Sequence, residues 1–270
     1  MSDGFSILKR AGLFVVLALL ASGLEEQASG GGLEDAWQRG KLLVGVRSDF
    51  PPFGYLDKSG NPQGVDVEVA RYLAKALFDD TGERLELVSV TSGSRIPFLY
   101  SGWIDVIVAS MSITEERKRV LEFSDPYFVS ASLLLVPRDS SINGLQDLPG
   151  KRVGVLEGAI QEKDLEHNAP QAIRAPFRTL SEAVESLKSN QVDAVCSDDA
   201  VILYLAVKSQ SLRAAGAPFN PHPYAIAVRK GDTEFVQWIN RQLAKMKADG
   251  TYEKLRQKVL GDMESAPAKP

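Results

Sequence analysis

The sequence predicts an α/β fold with two lobes, each built on a mostly parallel sheet flanked by helices. Short apolar runs alternate with longer segments in which apolar residues recur every three or four positions, the pattern of strands connected by helices. The same alternation starts again after Pro126. Because one α/β unit then follows another along the chain, we expect two lobes rather than one continuous sheet.

The first unit begins with the apolar run LLVGV at residues 42–46, which is typical of a strand. The loop that follows, RSDFPPFGY, contains two prolines and cannot be helical. Residues 65–78 carry apolar side chains at helical spacing and predict an amphipathic helix N-capped near Asp66. The remaining elements expected in this unit are a strand at 85–90, a helix at 95–100, a strand at 105–109 and a helical turn at 115–119.

The second unit is predicted from shorter segments of the same two kinds. We expect strands at 132–136, 152–156 and 192–196, a turn at 145–150, and helices at 181–189 and 200–208. A strand at 224–228 follows, and Gly250 separates two helices at 233–247 and 251–259. Residues 262–270 are rich in Pro and Ala and are expected to be disordered.

The first 23 residues have the layout of a secretory signal peptide. Lys9 and Arg10 precede an apolar stretch at 11–20, and the small residues of ASG follow, so we expect cleavage near Gly23. The apolar stretch is about half the roughly 20 residues that a membrane span needs. The next segment, LEEQASGGG at 24–32, is expected to be a flexible lead-in.

Charge and cysteine content narrow the possible partners. Cleavage would leave 29 of the 31 basic residues and 34 of the 35 acidic residues, a net charge of −5. A nucleic-acid-binding domain usually has a basic surface, so we expect no nucleic-acid partner. The single cysteine, Cys196, cannot form an internal disulfide and is expected as a lone buried thiol.

Three arginines lie in loops that follow or flank predicted strands: Arg47, Arg95 and Arg117. In open α/β sheets, ligands bind outside the carboxyl ends of the strands, so these side chains are expected to converge on one crevice. Three cations facing one crevice indicate an anionic ligand. The alternative is that each is an ordinary surface arginine.

The stretch ASMSITEERKRVLEFSDPYF at 109–128 is the most specific part of this pattern. Ser110 and Ser112 alternate at a strand end just before Arg117, and a guanidinium beside hydroxyl and backbone donors is suited to a carboxylate. We interpret the stretch as a carboxylate site for a small molecule. The alternative is a strand end capped by Ser and Thr with a solvated charged turn.

Asp198 ends the predicted strand VDAVCSD and is a candidate receiver for an ammonium group. It could equally be the N-cap of the helix beginning at residue 200, a role that Asp199 could also fill. Of the aromatic residues in the first loop, we expect Phe50 to line a pocket and Phe53 to belong to the core.

Enzyme motifs are not found in the sequence. His167 and His222, the two histidines, lie in dissimilar contexts without metal-ligand spacing. No P-loop, G-x-G-x-x-G motif or G-x-S-x-G elbow is present. We therefore expect no enzymatic activity, cofactor or metal.

Several segments together resemble the periplasmic polar amino-acid-binding proteins of ABC importers, the family 3 solute-binding proteins. They are LLVGVRSDFPPFGYLDKSGNPQGVDVEVARYLAKAL, SRIPFLYSGWIDVIVASMSITEERKRVLEFSDPYF, GKRVGVLEG, VDAVCSDDAVIL and YAIAVRKGD. The resemblance covers about residues 33–261. It implies the type II periplasmic binding protein fold, with one lobe formed by 33–128 and 225–261, the other by 129–224, and two hinge crossings near 127–131 and 221–225.

The resemblance also implies roles for individual residues. Arg117, Ser110 and Ser112 match the residues that hold the ligand α-carboxylate, Asp198 matches the acid that holds the α-ammonium group, and Phe50 matches the aromatic wall. In members that take glutamate or aspartate, basic residues matching Arg47 and Arg95 meet the side-chain carboxylate. The sequence departs from many relatives at Gly158-Ala159-Ile160, where they have hydroxyl residues.

The function implied is that of a periplasmic, monomeric receptor that binds an L-amino acid, glutamate or aspartate, between its lobes and delivers it to a membrane permease of an ABC importer. Glutamine or a broader set of polar amino acids is the first alternative. A periplasmic dehydratase of the same fold is the second, and Glu157 would be its candidate general acid.

Overall fold

The computed structural model describes residues 32–79 and 83–264. The predicted signal peptide lies outside these residues, as do 24–31 of the predicted lead-in and 265–270 of the predicted tail. Residues 262–264 of that tail belong to the last helix, which extends to Glu264. In the described part of the chain, no helix combines the length and the apolar character needed to cross a membrane.

The fold contains two five-stranded mixed sheets flanked by helices, so the predicted α/β class is confirmed. The first sheet has the strand order β5-β1-β6-β13-β7, and the second has the order β10-β9-β11-β8-β12. The elements before the crossing to the second sheet are α1 (Gly32–Arg39), β1 (Leu42–Val46), β2 (Asp49–Phe50), β3 (Gly54–Leu56), β4 (Pro62–Gln63), α2 (Val65–Phe78), β5 (Leu85–Ser89), α3 (Arg95–Tyr100), β6 (Val106–Ile107), α4 (Glu115–Lys118) and β7 (Leu121–Phe123).

The second sheet is built from the middle of the chain, and the last segments return to the first sheet. These elements are β8 (Phe128–Pro137), a 3-10 turn (Leu145–Asp147), β9 (Arg152–Leu156), α5 (Gln161–Asn168), β10 (Ile173–Phe177), α6 (Leu180–Lys188), β11 (Ala194–Asp198), α7 (Asp199–Lys208), β12 (Leu212–Tyr224), β13 (Ala227–Arg229), α8 (Thr233–Ala248) and α9 (Thr251–Glu264). Strands β2, β3 and β4 form a small separate antiparallel sheet.

Each large sheet is parallel on one side and antiparallel on the other. In the first sheet β1 is parallel to β5 and β6, whereas β13 is antiparallel to β6 and β7. In the second sheet β9 is parallel to β10 and β11, whereas β8 is antiparallel to β11 and β12. The antiparallel strands β7, β8, β12 and β13 are those that carry the chain between the sheets.

The central strands are buried on both faces, which explains why they read as apolar runs without alternation. Every residue of β11 is buried, as are four of the five residues of β1. Helices pack against both sheets, and α8 contacts β7 and β13. The carboxyl ends of the parallel strands are thereby held at fixed positions, where polar loops follow them.

The chain passes between the two sheets at the two places that were predicted. Phe128 at the start of β8 pairs with Tyr224 at the end of β12, and the Tyr127 amide donates to the Tyr224 carbonyl at 3.0 Å. The strand predicted at 224–228 is therefore wrong as one element. Its middle leaves both sheets, because the Ala225 amide bonds to the Met111 carbonyl and that of Ile226 to the Ser124 hydroxyl.

Eight elements were not predicted: α1, β2, β3, β4, β7, α5, β10 and β12. Strand β10 is mostly exposed and contains a proline, and α5 has only one buried apolar side chain, Leu165. Strand β12 contains three prolines, which an edge strand tolerates because one side of its backbone has no strand to pair with. These segments lack an apolar repeat because each contributes few side chains to the core.

Candidate functional site

A small cavity lies between the two sheets and is lined from both sides. The first-sheet side contributes Arg47, Phe50, Ser92, Arg95, Ser110 and Ser112, and the second-sheet side contributes Leu156, Ala159, Ile160, Gln161 and Asp198. Its volume is about 10 Å³, enough for about one water molecule. The two sides are therefore in close contact, and an amino acid could enter only if they separate.

The strand ends explain why these residues meet. Arg47 follows β1, the turn that contains Ser92 follows β5, and Ser110 follows β6. On the other side, Gln161 begins the helix after β9 and Asp198 ends β11. These five strands belong to the parallel parts of the two sheets, and the residues at their carboxyl ends face the cavity, as expected for ligand sites of open α/β sheets.

Arg47 is buried, contrary to the surface alternative. Its guanidinium donates from Nη1 to the Ser92 hydroxyl and from Nη2 to Asp49 Oδ1, both at 3.0 Å. The same group lies 4.3 Å from the centre of the Phe50 ring, which fixes the cation against the aromatic wall of the cavity. Phe50 thus lines the cavity where the sequence placed it.

Arg95 is also buried, at the start of α3. Its Nη1 donates to the Ala109 carbonyl at 2.6 Å and to the Ser110 carbonyl at 3.3 Å. Burial, followed by the positive charges of Arg117 and Arg47, holds the pKa of Arg95 well below its usual value. Arg47 and Arg117 are therefore close enough to destabilise the charge of Arg95.

Arg117 lies beside the cavity rather than on its wall. Its guanidinium donates to the Ser112 carbonyl at 2.7 Å and, across the gap between the sheets, to the Gly158 carbonyl at 2.9 Å. Burial lowers its pKa, while the carboxylate of Asp198 acts in the opposite direction. Thr114 caps α4, because its hydroxyl accepts a hydrogen bond from the Arg117 amide. The capped turn that was the alternative to a carboxylate site is therefore present, and the Arg117 guanidinium still lies beside the cavity.

The Ser110 backbone has a left-handed conformation, with φ of 47°, that is rare for residues other than glycine. Asp66 stabilises it by accepting the Ser110 amide at 2.8 Å and its hydroxyl at 2.9 Å on Oδ2. The hydroxyl of Tyr127 donates to the other oxygen at 2.7 Å. The prediction that Asp66 caps α2 is wrong, because Gly64 occupies the N-cap and the Asp66 side chain points into this network.

Asp198 occupies the N-cap position of α7 but makes no capping hydrogen bond with its side chain. Instead, Oδ1 accepts from Gln161 Nε2 at 3.0 Å and lies 2.9 Å from His222 Nε2. The carboxylate is buried and faces the cavity. The capping alternative therefore fails for Asp198, and the side chain is placed where a ligand group can reach it.

Three other residues discussed in the sequence analysis do not line the cavity. Phe53 is buried and packs edge-on against Phe128 and Tyr224, with ring centres 5.0 and 5.3 Å apart, as expected for a core residue. Cys196 is free and buried, as predicted. Glu157, the candidate general acid, is exposed and is not among the residues that line the cavity.

The sequence reasoning missed Ser92, Asp66 and His222 as residues of the site or its support. Ser92 stands three residues before Arg95 in the same turn, which is the signal that could have identified it. His222 lies on a proline-rich edge strand with no local pattern. Among residues 32–79 and 83–264, no group of three or more His, Cys, Asp and Glu side chains is arranged to hold a metal ion.

Buried polar atoms without a hydrogen-bond partner are concentrated around this cavity. Within the described residues they are Arg47 Nε, Arg95 Nε and the Tyr224 hydroxyl. An unsatisfied buried donor costs about 1–3 kcal/mol, so such groups are normally retained only where they serve a purpose. Two guanidinium groups with unused donors form a wall suited to an anion.

Comparison with known proteins gives a consistent result. Residues 42–262 match the family model of bacterial extracellular solute-binding proteins, family 3. The chain is 38% identical over 220 residues to the ABC transporter glutamine-binding protein GlnH of Bacillus subtilis, covering 81% of this chain and 80% of that protein.

Two solved structures show the same fold over most of the chain. An ancestral arginine-binding protein bound to glutamine is 42% identical, with a TM-score of 0.77, over 83% of this chain and 99% of the other. The ancestral amino acid-binding protein AncCDT-1, a precursor of cyclohexadienyl dehydratase, is 35% identical, with a TM-score of 0.78, over 84% and 99%.

Proposed function

Because the chain belongs to the bacterial extracellular solute-binding proteins of family 3, we propose that it captures glutamate or aspartate between its two lobes and delivers it to an ABC permease. The lobes are residues 33–128 with 225–261, and residues 129–224. The protein acts as an exported monomer after cleavage of its signal peptide near Gly23.

The observation that carries this proposal is the gathering of three guanidinium groups at and beside the cavity, of which those of Arg47 and Arg95 are buried. The guanidinium of Arg47 is paired with the carboxylate of Asp49. Arg95 and Arg117, by contrast, both interact with the single carboxylate of Asp198. Two of the guanidinium groups also have a buried Nε without a partner in the described residues. A ligand that brings two carboxylates and one ammonium group matches this charge pattern, whereas a neutral side chain leaves a cation without a counterion.

Each ligand group has a counterpart in the site. Arg117 with Ser110 and Ser112 holds the α-carboxylate, and Asp198 holds the α-ammonium group. Arg47 and Arg95, which lie on the first-sheet side of the cavity, receive the side-chain carboxylate. Phe50, already stacked with Arg47, packs against the aliphatic part of the ligand.

Capture requires the walls to separate and then to close, because the cavity now holds about one water molecule. Two hydrogen bonds join the two sides in the closed form. Arg117 donates to the Gly158 carbonyl, and the Leu180 amide donates to the Asp49 carboxylate at 2.8 Å. A ligand shifts this equilibrium only by its differential affinity for the closed state. Glutamate binds the closed state more tightly than the open state because it then contacts both walls at once.

Glutamine is the second candidate, supported by the 38% identity with GlnH and by the ancestral protein that binds glutamine. The apolar second wall of Leu156, Ala159 and Ile160 is compatible with either ligand. A dehydratase is less well supported, because the exposed Glu157 cannot act as a general acid in the cavity.

Isothermal titration calorimetry of the purified mature protein, first stripped of bound ligand by unfolding and refolding, tests the proposal with the 20 L-amino acids. We expect saturable heat with glutamate or aspartate at micromolar affinity, about −8 kcal/mol. The absence of heat with glutamate, aspartate and glutamine would refute it. Turnover of prephenate or arogenate would favour the enzyme instead.

A further inference from the structure

His222 lies behind the cavity wall and is surrounded by hydrogen-bond acceptors. The ring is 4% exposed. Its Nδ1 lies 2.9 Å from the backbone carbonyl of Asn220, and its Nε2 lies 2.9 Å from Asp198 Oδ1. A carbonyl and an ionised carboxylate only accept hydrogen bonds, and a neutral imidazole carries one N–H. Both contacts are satisfied together when the ring carries two protons.

The elements packed around His222 add negative charge, and the cations Arg95 and Arg117 act on the same Asp198 carboxylate. The acidic groups that act on its charge are Asp198 on β11 and Asp164 on α5. Tyr224 on its own strand lies with its ring centre 5.9 Å away, and Ser130, which pairs with His222, donates to Asp199. Asp164 is held by the Ser132 hydroxyl and by Asn220 Nδ2, the latter at 2.9 Å. The surroundings therefore favour the imidazolium over the neutral ring.

Burial disfavours the charged ring, but the hydrogen bond to Asp198 and its negative charge outweigh burial and raise the pKa of His222 above its usual value. A raised pKa agrees with the two hydrogen-bond acceptors that lie 2.9 Å from the ring nitrogens. His167, the other histidine, is exposed on α5 and provides an internal reference.

We infer that His222 is an imidazolium at neutral pH and a positioning residue for Asp198. Together with Gln161 it holds Oδ1, so that Oδ2 is presented to the ammonium group of the ligand. This inference rests on the proposed function for its ligand, whereas the protonation of His222 does not depend on any ligand.

The same arrangement contributes to selectivity. The imidazolium offsets the charge of Asp198, so that Arg95 and Arg117 remain available for the carboxylates of the ligand. Neutralising His222 therefore lowers the affinity for glutamate more than the affinity for glutamine. Both ligands carry the ammonium group, so its interaction with Asp198 cancels when the affinities for glutamate and glutamine are compared.

Nitrogen-15 NMR of the imidazole groups in the full mature chain tests the protonation directly, with a His167→Gln variant to assign the two rings. We expect both nitrogens of His222 to be protonated at pH 7 and its pKa to fall in an Asp198→Asn variant. A single protonated nitrogen at pH 7, or a pKa that Asp198→Asn leaves unchanged, would overturn the inference.

Calorimetry with L-glutamate and L-glutamine tests the positioning role. We expect His222→Ala to weaken both ligands about tenfold or more, corresponding to the loss of one charge-assisted hydrogen bond. His222→Gln keeps one N–H donor without the charge, so it should recover part of the loss for glutamine and less for glutamate. His167→Ala is the control and should bind as the wild type does.

Wild-type affinity in His222→Ala would overturn the positioning role, as would equal recovery of both ligands by His222→Gln. If the wild-type chain binds no amino acid, the proposed function fails and the positioning role fails with it. The NMR result then decides the protonation of His222 separately. Thermal unfolding of each variant identifies losses that come from misfolding.

Discussion

The carboxylate of Asp66 accepts both the backbone amide and the hydroxyl of Ser110, at 2.8 and 2.9 Å. This pair fixes a left-handed backbone at the cavity wall. Burial raises the pKa of Asp66 from 3.8 to about 6, although the hydrogen bonds from Tyr127 and Ser110 act in the opposite direction. The fold thus carries an acid that is costly to ionise at the point where it shapes the site.

The raised pKa of Asp66 predicts a pH-dependent stability. Because the folded protein binds this proton more tightly than the unfolded chain, the stabilisation is fully present below pH 3.8 and is lost as the pH rises to about 6. The difference corresponds to about 3 kcal/mol. In Asp66→Asn this component should be missing, so its free energy of unfolding relative to the wild type should rise between pH 4 and 7 in urea titrations.

Asp57→Asn provides the matched control for that experiment. Backbone hydrogen bonding from Asn61 lowers the pKa of the half-buried Asp57. Its contribution to the free energy of unfolding is therefore present at neutral pH and is lost as the pH falls. The two variants should therefore change in opposite directions with pH. Parallel changes would contradict the assignment of the raised pKa to Asp66.

The three arginines should differ in what they recognise. Replacing Arg117 with Met should weaken glutamate and glutamine alike by about 10–100-fold, because both carry the α-carboxylate. Arg47→Met and Arg95→Met should weaken glutamate about tenfold more than glutamine, because only glutamate has a side-chain carboxylate. Calorimetric dissociation constants for the two ligands measure both effects.

Arg174→Met, at an exposed position on β10, is the control and should leave both dissociation constants unchanged. Equal losses of glutamate and glutamine affinity in Arg47→Met and Arg95→Met would disprove the assignment of these residues to the ligand side chain.

Gly64 should be intolerant of any side chain. It caps α2 with a φ of 119°, and a Cβ there would lie 2.1 Å from the Phe53 carbonyl oxygen. Gly64→Ala is therefore expected to cost at least about 3 kcal/mol in urea unfolding. Gly60 has a φ of 82° with nothing within 4 Å of its Cβ, so Gly60→Ala should cost only about 1 kcal/mol. Similar losses in the two variants would show that the close contact is not the cause.

The ion pair between Lys163 on α5 and Glu116 on α4 joins the two sides of the cavity. Both side chains are largely exposed, so the pair is expected to contribute up to about 1 kcal/mol. Lys163→Met should raise the glutamate dissociation constant about two- to fivefold at low salt, and the difference should disappear near 1 M salt, where charges are screened within about 3 Å.

Lys188→Met removes an ion pair with Glu185 inside α6 and should not affect binding. An effect of Lys163→Met that persists at high salt would mean that the pair does not act through its charge.

The sequence was sufficient to predict the fold class because the central strands are buried on both faces. Runs such as LLVGV and AVCSD therefore carry a strong signal, and the polar residues that follow them could be assigned to one cavity. Among the elements that were missed, β10 and β12 lie at the two edges of the second sheet, where prolines and exposed side chains are tolerated and no pattern is required.

The prediction of the site was strongest for residues next to strand ends and weakest for residues that act through others. Arg47, Arg95, Ser110 and Asp198 all face the region that was expected. The position of Asp66 near the start of α2 fits a helix cap equally well. Its actual partners, Ser110 and Tyr127, are 44 and 61 residues away in sequence, and only the packed fold brings them together.

The central claim is that the buried arginines select an acidic amino acid. The most direct test is the ratio of the glutamine to the glutamate dissociation constant, measured by calorimetry on the mature chain at one pH and salt concentration. We expect a ratio of at least about 10, since a buried charge-assisted hydrogen bond contributes about 1.5 kcal/mol or more. A ratio below 1, with glutamine also preferred to aspartate, would contradict it.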